Sequence, residues 1–207
     1  MTMQRSTRPR ARAWLALLVS SLLVSAAILS PAGSSPTAAA AEGTNTMGIV
    51  CTTAGPNPTF NLTTRWGYIN LPDGTTAYMW GYSEGNKPFQ HPGPVLCVNQ
   101  GDTVTVILKN GFTATTPKKA PAVSMIFPGQ ENVTANGVPS QPQFSGTTMT
   151  SLAQAAQPGG TVTYSFVADQ PGTFLYESGG GQLSSGTPSP YSSPQIQVRM
   201  GLFGAFI

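Results

Sequence analysis

Apolar and polar residues alternate in short runs from Thr59 onward, and turns rich in Gly and Pro separate these runs. The runs "TVTVILK" and "TVTYSFV" show the alternation most clearly. Because residues i and i+2 project from the same side of a strand, each run predicts a β-strand with one apolar face. The apolar residues expected to be buried are Val104, Val106, Leu108, Val162, Tyr164 and Phe166.

Similar runs elsewhere bring the expected number of strands to about eight. "TFNLTTRWGYIN" and "TTAYMWGY" flank the turn "LPDG" and predict a hairpin. "GPVLC", "AVSMIF", "TFLYES" and "QIQVRMGLFGAFI" are interpreted as further strands, and residues 111–121, 128–150 and 178–194 as loops. Helical periodicity is absent, although Leu152–Gln157 would accommodate one helical turn. The pattern therefore predicts an all-β Greek-key sandwich or barrel.

The N-terminal segment has a different character. Four arginines precede an apolar run from Ala13 to about Ile28, and small residues ending in "TAAAAEG" follow. This order is typical of a secretory signal peptide, and the run is shorter than the ~20 residues that span a bilayer. We expect a signal peptide over residues 1–41, an extension over 42–58 and the folded domain over 59–207. The protein would be secreted and free of the membrane after cleavage, with a retained anchor as the alternative.

The net charge of +3 belongs to the N-terminal segment. Residues 42–207 contain six Lys and Arg against seven Asp and Glu, so the expected mature chain is almost neutral. Binding of nucleic acid requires a basic surface, which this composition does not supply. The two cysteines, Cys51 and Cys97, predict a disulfide in an oxidising compartment, with two unpaired thiols as the alternative.

Few side chains suit catalysis. His91, the single histidine, precedes Pro92, and positioning of its loop is favoured over a role as catalytic base. Asp73, Asp102 and Asp169 each occupy a turn, where an aspartate side chain normally accepts hydrogen bonds from nearby backbone. No catalytic residue is therefore predicted.

Four segments carry a more specific signal through their order and spacing: "HPGPVLCVNQGDTVTVILKN", "VSMIFPG", "QPGGTVTYSFVADQPGTFLYESG" and "QVRMGLFGAFI". Together they resemble the first, plastocyanin-like cupredoxin domain of multicopper oxidases, over roughly residues 75–207. The resemblance implies a β-sandwich of cupredoxin type that packs against further cupredoxin domains. In that family the first domain contributes two His-x-His pairs to a trinuclear copper cluster at a domain interface.

Histidine is absent from all four positions that match those pairs. "SMIFPG" has Ile126 and Pro128 there, and "GTFLYESG" has Glu177 and Gly179. Ile, Pro and Gly offer no side-chain ligand, so the resemblance implies that this chain has no copper site and no cofactor. For Glu177, a residual site for a hard cation is the alternative to a hydrogen-bonded carboxylate.

The resemblance favours a secreted structural domain without copper. Its partner would be a copper-bearing cupredoxin domain in a longer parent or in a separate chain, and the expected interface comprises Met125, Phe127, Tyr176 and Glu177. The family's last strand continues beyond the position of Ile207, so the chain is expected to be a truncated N-terminal piece. The enzymatic alternative is a copper-dependent oxidoreductase whose ligands lie in missing downstream domains.

A third alternative is a free-standing β-sandwich that binds carbohydrate or cell wall. Aromatic residues alternate along the predicted hairpin, so one of its faces offers rings that stack on sugars. Packing of the same rings in the core is the competing interpretation. The aromatic residues concerned are Trp66, Tyr68, Tyr78, Trp80 and Tyr82.

Overall fold

The computed structural model describes residues 51–52, 55–113, 120–186 and 189–207, with only the backbone of 51–52. The expected signal peptide over 1–41 lies outside the described residues. Strands and one short helix make up the described secondary structure. The elements are β1 (Cys51–Thr52), β2 (Thr59–Asn70), β3 (Thr76–Glu84), β4 (Val95–Leu96), β5 (Thr103–Lys109), β6 (Met125–Ile126), β7 (Thr134–Ala135), β8 (Val138–Pro139), β9 (Gln143–Ser145), β10 (Thr148–Ser151), β11 (Thr161–Val167), β12 (Phe174–Ser178), α1 (Pro194–Met200) and β13 (Phe203–Phe206).

Two sheets form a sandwich. One has the strand order β1-β4-β13-β12-β6 and the other β3-β2-β5-β11-β7-β8, while β9 and β10 pair separately. Neither sheet closes on itself. The all-β prediction is therefore confirmed, and the two open sheets form a sandwich rather than a barrel.

The hydrophobic core lies between the two sheets. Tyr82 and Tyr176 contact each other from opposite sheets, with ring centroids 5.6 Å apart. Phe166 and Phe206 do the same at 5.5 Å. The two predicted apolar faces are confirmed, because every member is at most 3% exposed: Val104, Val106, Leu108, Val162, Tyr164 and Phe166.

Several predictions about secondary structure are wrong. Leu152–Gln157 forms no helical turn, and Ala156 pairs with Val123 instead. Thirteen strands are described where about eight were expected, and most of the additional strands are only two to four residues long.

The segment 128–150 was expected to be a loop, but it contains β7, β8, β9 and most of β10. The expected last strand, which began in "QIQVRM", instead has α1 followed by β13. Ser193 caps α1 by accepting a hydrogen bond from the Ile196 N–H, and Pro194 occupies the first turn. Gly201 ends the helix with φ at 117°, a conformation that favours glycine.

The first strand falls within the range 42–58 that was assigned to an extension. Its residue Cys51 is the Cα partner of Val95, and β1 runs parallel to β4. This part of the chain therefore belongs to the five-stranded sheet. Among the described residues, no helix has the length and apolar character needed to cross a membrane.

Candidate functional site

Four positions of this chain match copper ligands of the family that the sequence resembles. The structure brings three of them together: Ile126, Glu177 and Gly179. Ile126 in β6 is the Cα partner of Glu177 in β12, and on its other side Glu177 is the partner of Phe203 in β13. Residues paired across strands share one face of a sheet. Ile126, Glu177, Phe203 and the nearby Leu175 thus form the outer face of the five-stranded sheet.

Gly179 completes the group of three, in a crowded position. A Cβ atom built on Gly179 would lie 2.6 Å from Ser124 Oγ and 3.0 Å from Ile126 Cγ2. Both separations are shorter than normal van der Waals contacts. Gly179 therefore has no room for a ligating side chain. Pro128 is exposed and lies in the turn that follows β6.

The predicted interface residues are mostly wrong. Met125 and Tyr176 are 0% exposed and Phe127 is 5% exposed, so these three side chains lie in the core. Successive residues of a strand face opposite ways, and the prediction combined neighbours without assigning their faces. Of the four, Glu177 alone is partly exposed. Leu175, 52% exposed, lies on the same side of β12 as Glu177, and alternation from the buried Tyr176 would have identified it.

A buried amide anchors the inner side of this region. Gln197 of α1 is 0% exposed, accepts a hydrogen bond from Ser178 Oγ, and donates from Nε2 to the carbonyl oxygens of Ala122 and Tyr191. Ser178 Oγ in turn accepts from the Gly180 N–H at 3.0 Å. These bonds satisfy polar atoms that would be costly to bury alone. The same bonds hold α1 and the three glycines Gly179–Gly181 against the end of β12.

Two serines form a second buried network beside Gly179. Ser151 Oγ donates to Ser124 Oγ at 2.8 Å, and Ser124 Oγ donates to the Gly180 carbonyl at 2.8 Å. Both serines are at most 4% exposed. A groove of about 330 Å³ opens next to Ser151, and it is lined mainly by uncharged Ser, Thr and Gln side chains. The groove therefore offers mainly hydroxyl and amide groups, and Met149 is the single soft donor among its lining residues.

The remaining candidate side chains do not converge on this region as ligands. Among the described residues, no three His, Cys, Asp or Glu side chains group closely enough to hold a metal ion. His91 lies edge-on to Phe203, with ring centroids 5.6 Å apart, and its Nδ1 is buried without a hydrogen-bond partner. Its contact with Phe203 holds it beside β13. At the four matching positions, all of them described, the side chains supply one carboxylate and no imidazole, which does not fit a copper cluster.

The aspartates that were predicted to serve turns do so in two cases. Asp73 accepts hydrogen bonds from the N–H and the hydroxyl of Thr75, and these bonds hold the pKa of its carboxyl below the usual value. Asp102 accepts from the Asn99 N–H at 2.9 Å. For Asp169 the backbone carbonyl, rather than the side chain, accepts a hydrogen bond from Gln100.

The aromatic residues of the β2–β3 hairpin separate into two groups. Trp80 and Tyr82 are 0% exposed and belong to the core, so they were wrongly included in a candidate sugar-binding face. Trp66 and Tyr68 are 41% and 63% exposed. Tyr78 lies between them, with its ring centroid 5.8 Å from that of Trp66 and 5.7 Å from that of Tyr68.

One cysteine lies in a strand of the five-stranded sheet, and the other directly follows the neighbouring strand. Cys97 directly follows β4 and is buried, while Cys51 is in β1, paired with Val95. The side chain of Cys51 lies outside the described residues. The disulfide therefore stays a prediction.

Comparisons with known proteins support the fold. No protein-family model and no curated protein matches the chain. The laccase from Botrytis aclada aligns with 75% of this chain and 23% of its own at 22% identity, with a TM-score of 0.51. The copper nitrite reductase from Nitrosomonas europaea aligns with 72% of this chain and 40% of its own at 22% identity, with a TM-score of 0.46. The chain thus has a fold that also occurs in this laccase, and it spans less than half the length of either protein.

Proposed function

We propose that this chain is a secreted cupredoxin-like domain that holds no copper of its own and docks onto a copper-bearing cupredoxin domain. One observation carries the proposal: Ile126 and Gly179 occupy two ligand positions of the resembling family and pack directly against each other. Neither residue has a donor atom in its side chain. The space that a side chain at position 179 would enter is filled by Ser124, Ile126 and Leu152.

The chemistry of the remaining residue supports the same proposal. Glu177 is the single ligating side chain among the four positions. A carboxylate by itself suits hard cations such as Mg²⁺ or Ca²⁺, which need further oxygen ligands, whereas copper prefers imidazole and sulfur. Its strand neighbours Ile126 and Phe203 supply none of these donors.

The outer face has the character of a docking surface. Ile126, Leu175 and Phe203 are apolar and at least partly exposed, and Glu177 is the one charged side chain among them. Interface cores are typically depleted of charge, and a lone carboxylate requires a donor from the partner once water is removed. A second cupredoxin domain with a complementary apolar surface and one basic or amide donor fits these features.

Metal analysis tests the first half of the proposal. Residues 42–207 would be purified, loaded with Cu(I) or Cu(II), dialysed and analysed for copper, with an absorption scan near 600 nm. We expect no stoichiometric copper and no blue colour. One tightly bound copper per chain would overturn the proposal and favour the oxidase alternative.

The docking half needs a partner, which is sought in the surrounding genomic sequence. DNA beyond codon 207 and in the neighbouring genes would be searched for cupredoxin sequences with His-x-His and His-Cys-His patterns. The encoded domain would be co-expressed with the wild-type chain, with Leu175→Glu and with Val167→Glu as control. Leu175 and Val167 are similarly exposed, at 52% and 48%, on different sheets. Loss of the complex with Leu175→Glu alone is expected, whereas equal binding by both variants, or the absence of any such gene, would contradict docking through the outer face.

A further inference from the structure

The far half of the β2–β3 hairpin projects beyond its sheet. β2 pairs with β5 only over Thr59–Thr63, whereas its pairing with β3 continues to Asn70. From Thr64 to Asn70, β2 therefore has a partner strand on one side only. Trp66, Tyr68 and Tyr78 lie on this projecting part.

The three rings form one continuous aromatic surface. Tyr68 and Tyr78 are direct cross-strand partners, and the Tyr78 ring lies between those of Trp66 and Tyr68 at centroid distances of 5.8 Å and 5.7 Å. Trp66 and Tyr68 are substantially exposed. Contiguous exposed apolar patches commonly mark binding sites, whereas single exposed apolar residues are normal.

The central ring is held by the core. Trp80 Nε1 donates a hydrogen bond to Tyr78 Oη at 3.3 Å. Trp80 is fully buried and contacts the rings of Phe112 and Tyr191, with centroids 4.7 Å and 5.4 Å away. The three rings lie on paired strands, and the buried Trp80 holds the Tyr78 ring in place. The side chains are therefore already ordered, and little conformational entropy would be lost when a ligand binds.

The aromatic surface of the hairpin is uncharged. Arg65 alternates with Trp66 along β2 and so belongs to the opposite side of the hairpin, where the neighbouring Gly67 is covered by Phe89. Asp73 at the turn is bonded to Thr75, and Glu84 forms an ion pair with Lys87 at 2.8 Å. Over Thr64–Asn70 and Thr76–Tyr82, the described residues on the side of the exposed rings carry no formal charge; Glu84 shares that side at the far end of β3, where it is paired with Lys87.

We propose that Trp66, Tyr68 and Tyr78 bind a neutral polysaccharide by stacking on the faces of its sugar rings. A pyranose presents C–H groups on its faces and hydroxyl groups at its rim. The partly positive C–H groups are attracted to the negative faces of aromatic rings, and the Tyr hydroxyls and the Trp N–H can bond to the rim. A nucleic acid or an anionic polymer would need basic side chains that this surface of the hairpin does not provide.

Retention on insoluble polymers tests the proposal. Wild-type residues 42–207 would be mixed with microcrystalline cellulose and with chitin, and the free and bound fractions measured. Trp66→Ala and Tyr68→Ala are expected to weaken retention by about two- to tenfold each, the range for a lost aromatic contact. Phe144→Ala is the matched control, because Phe144 is 62% exposed on a different hairpin. Circular dichroism of each variant establishes that it is folded.

Each outcome decides for or against the stacking surface. The proposal is supported if retention falls in Trp66→Ala and Tyr68→Ala but is unchanged in Phe144→Ala. Absence of wild-type retention on both polymers, or equal loss in all three variants, overturns it. Binding of the wild type to phosphatidylcholine vesicles without binding to either polymer would assign the rings to a lipid surface instead. None of these results depends on copper binding or on the outer face.

Discussion

Ile126 and Glu177 are direct partners across β6 and β12, and both side chains lie on the outer face of the five-stranded sheet. Residues in this relationship have Cβ atoms about 4.5–5.5 Å apart. That separation allows two histidines to bind one metal ion. The backbone of the site is therefore compatible with metal binding, even though its side chains are not.

The double variant Ile126→His/Glu177→His is expected to gain a site for Cu²⁺ or Ni²⁺. Two imidazoles on one face of a strand pair supply the ligands that such ions prefer. Isothermal titration calorimetry would detect binding, and the melting temperature would rise with metal concentration, because a ligand bound only by the folded state stabilises it. Ile126→His alone is the control. Equal affinity of the single and double variants would contradict the pairing.

Gln197→Ala is expected to destabilise the domain by about 3 kcal/mol or more, because three groups each lose a partner. The substitution leaves Ser178 Oγ and the carbonyls of Ala122 and Tyr191 without their present partner, and each unsatisfied buried group costs about 1–3 kcal/mol. Urea unfolding measures the change in free energy. Gln195→Ala, at an exposed position of the same helix, should change stability by less than about 0.5 kcal/mol. Similar values for both would show that the amide network contributes little.

Stability is expected to fall above about pH 10, the ordinary pKa of tyrosine. Burial raises the pKa values of Tyr82, Tyr164 and Tyr176, so the folded state keeps protons that the unfolded state releases. The free energy of unfolding is therefore fully retained below pH 10 and decreases at higher pH, by up to about 1.4 kcal/mol per pH unit for each tyrosine. Urea unfolding between pH 8 and 11 measures this slope.

Tyr82→Phe isolates one of the three contributions. Tyr82 Oη makes no hydrogen bond within the described structure, so its loss should cost little at neutral pH. The slope above pH 10 should become shallower by about 1.4 kcal/mol per pH unit. An unchanged slope would mean that Tyr82 ionises equally well in the folded and unfolded states.

Cys51 and Cys97 are expected to form a disulfide. A thiol assay on the unfolded chain should find no reactive thiol before reduction and two after it. In the chain-entropy model, closing the 46-residue separation stabilises the fold by up to about 4 kcal/mol, so Cys97→Ser should lower the free energy of unfolding by up to that amount. Two reactive thiols before reduction would disprove the bond.

The sequence predicted the long strands and failed on the short elements. Alternation over seven residues identified β5 and β11 together with their buried faces. Strands of two residues, such as β7 and β8, are too short for any period to appear. Their signal was the dipeptide Asn136-Gly137, whose φ angles of 50° and 81° form the hairpin turn between them. The seven-residue helix α1 was likewise marked only by Ser193 and Pro194 at its start and Gly201 at its end.

The part of the site that lies within sequence motifs was predictable, whereas the contacts made by distant segments were not. The two stretches containing Ile126 and Glu177 were predicted to belong to one site, and they do pair. Phe203 and Gln197 enter the same region from another part of the chain, and no local pattern indicates a contact that depends on the packing of α1 and β13. The orientation of Tyr176 was the avoidable error, since alternation along β12 determines it.

The position of β4 in its sheet has a consequence for the folding rate. β4 lies between β1 and β13, and both neighbours run parallel to it. The final residue, Ile207, donates to the Leu96 carbonyl at 2.8 Å and accepts from the Val98 N–H at 2.9 Å. Parallel pairing between segments so far apart in the chain requires the closure of long loops before any contact energy is gained. We therefore expect folding over milliseconds to seconds, with the sheet around β4 completed late and its unpaired edges exposed to aggregation until then.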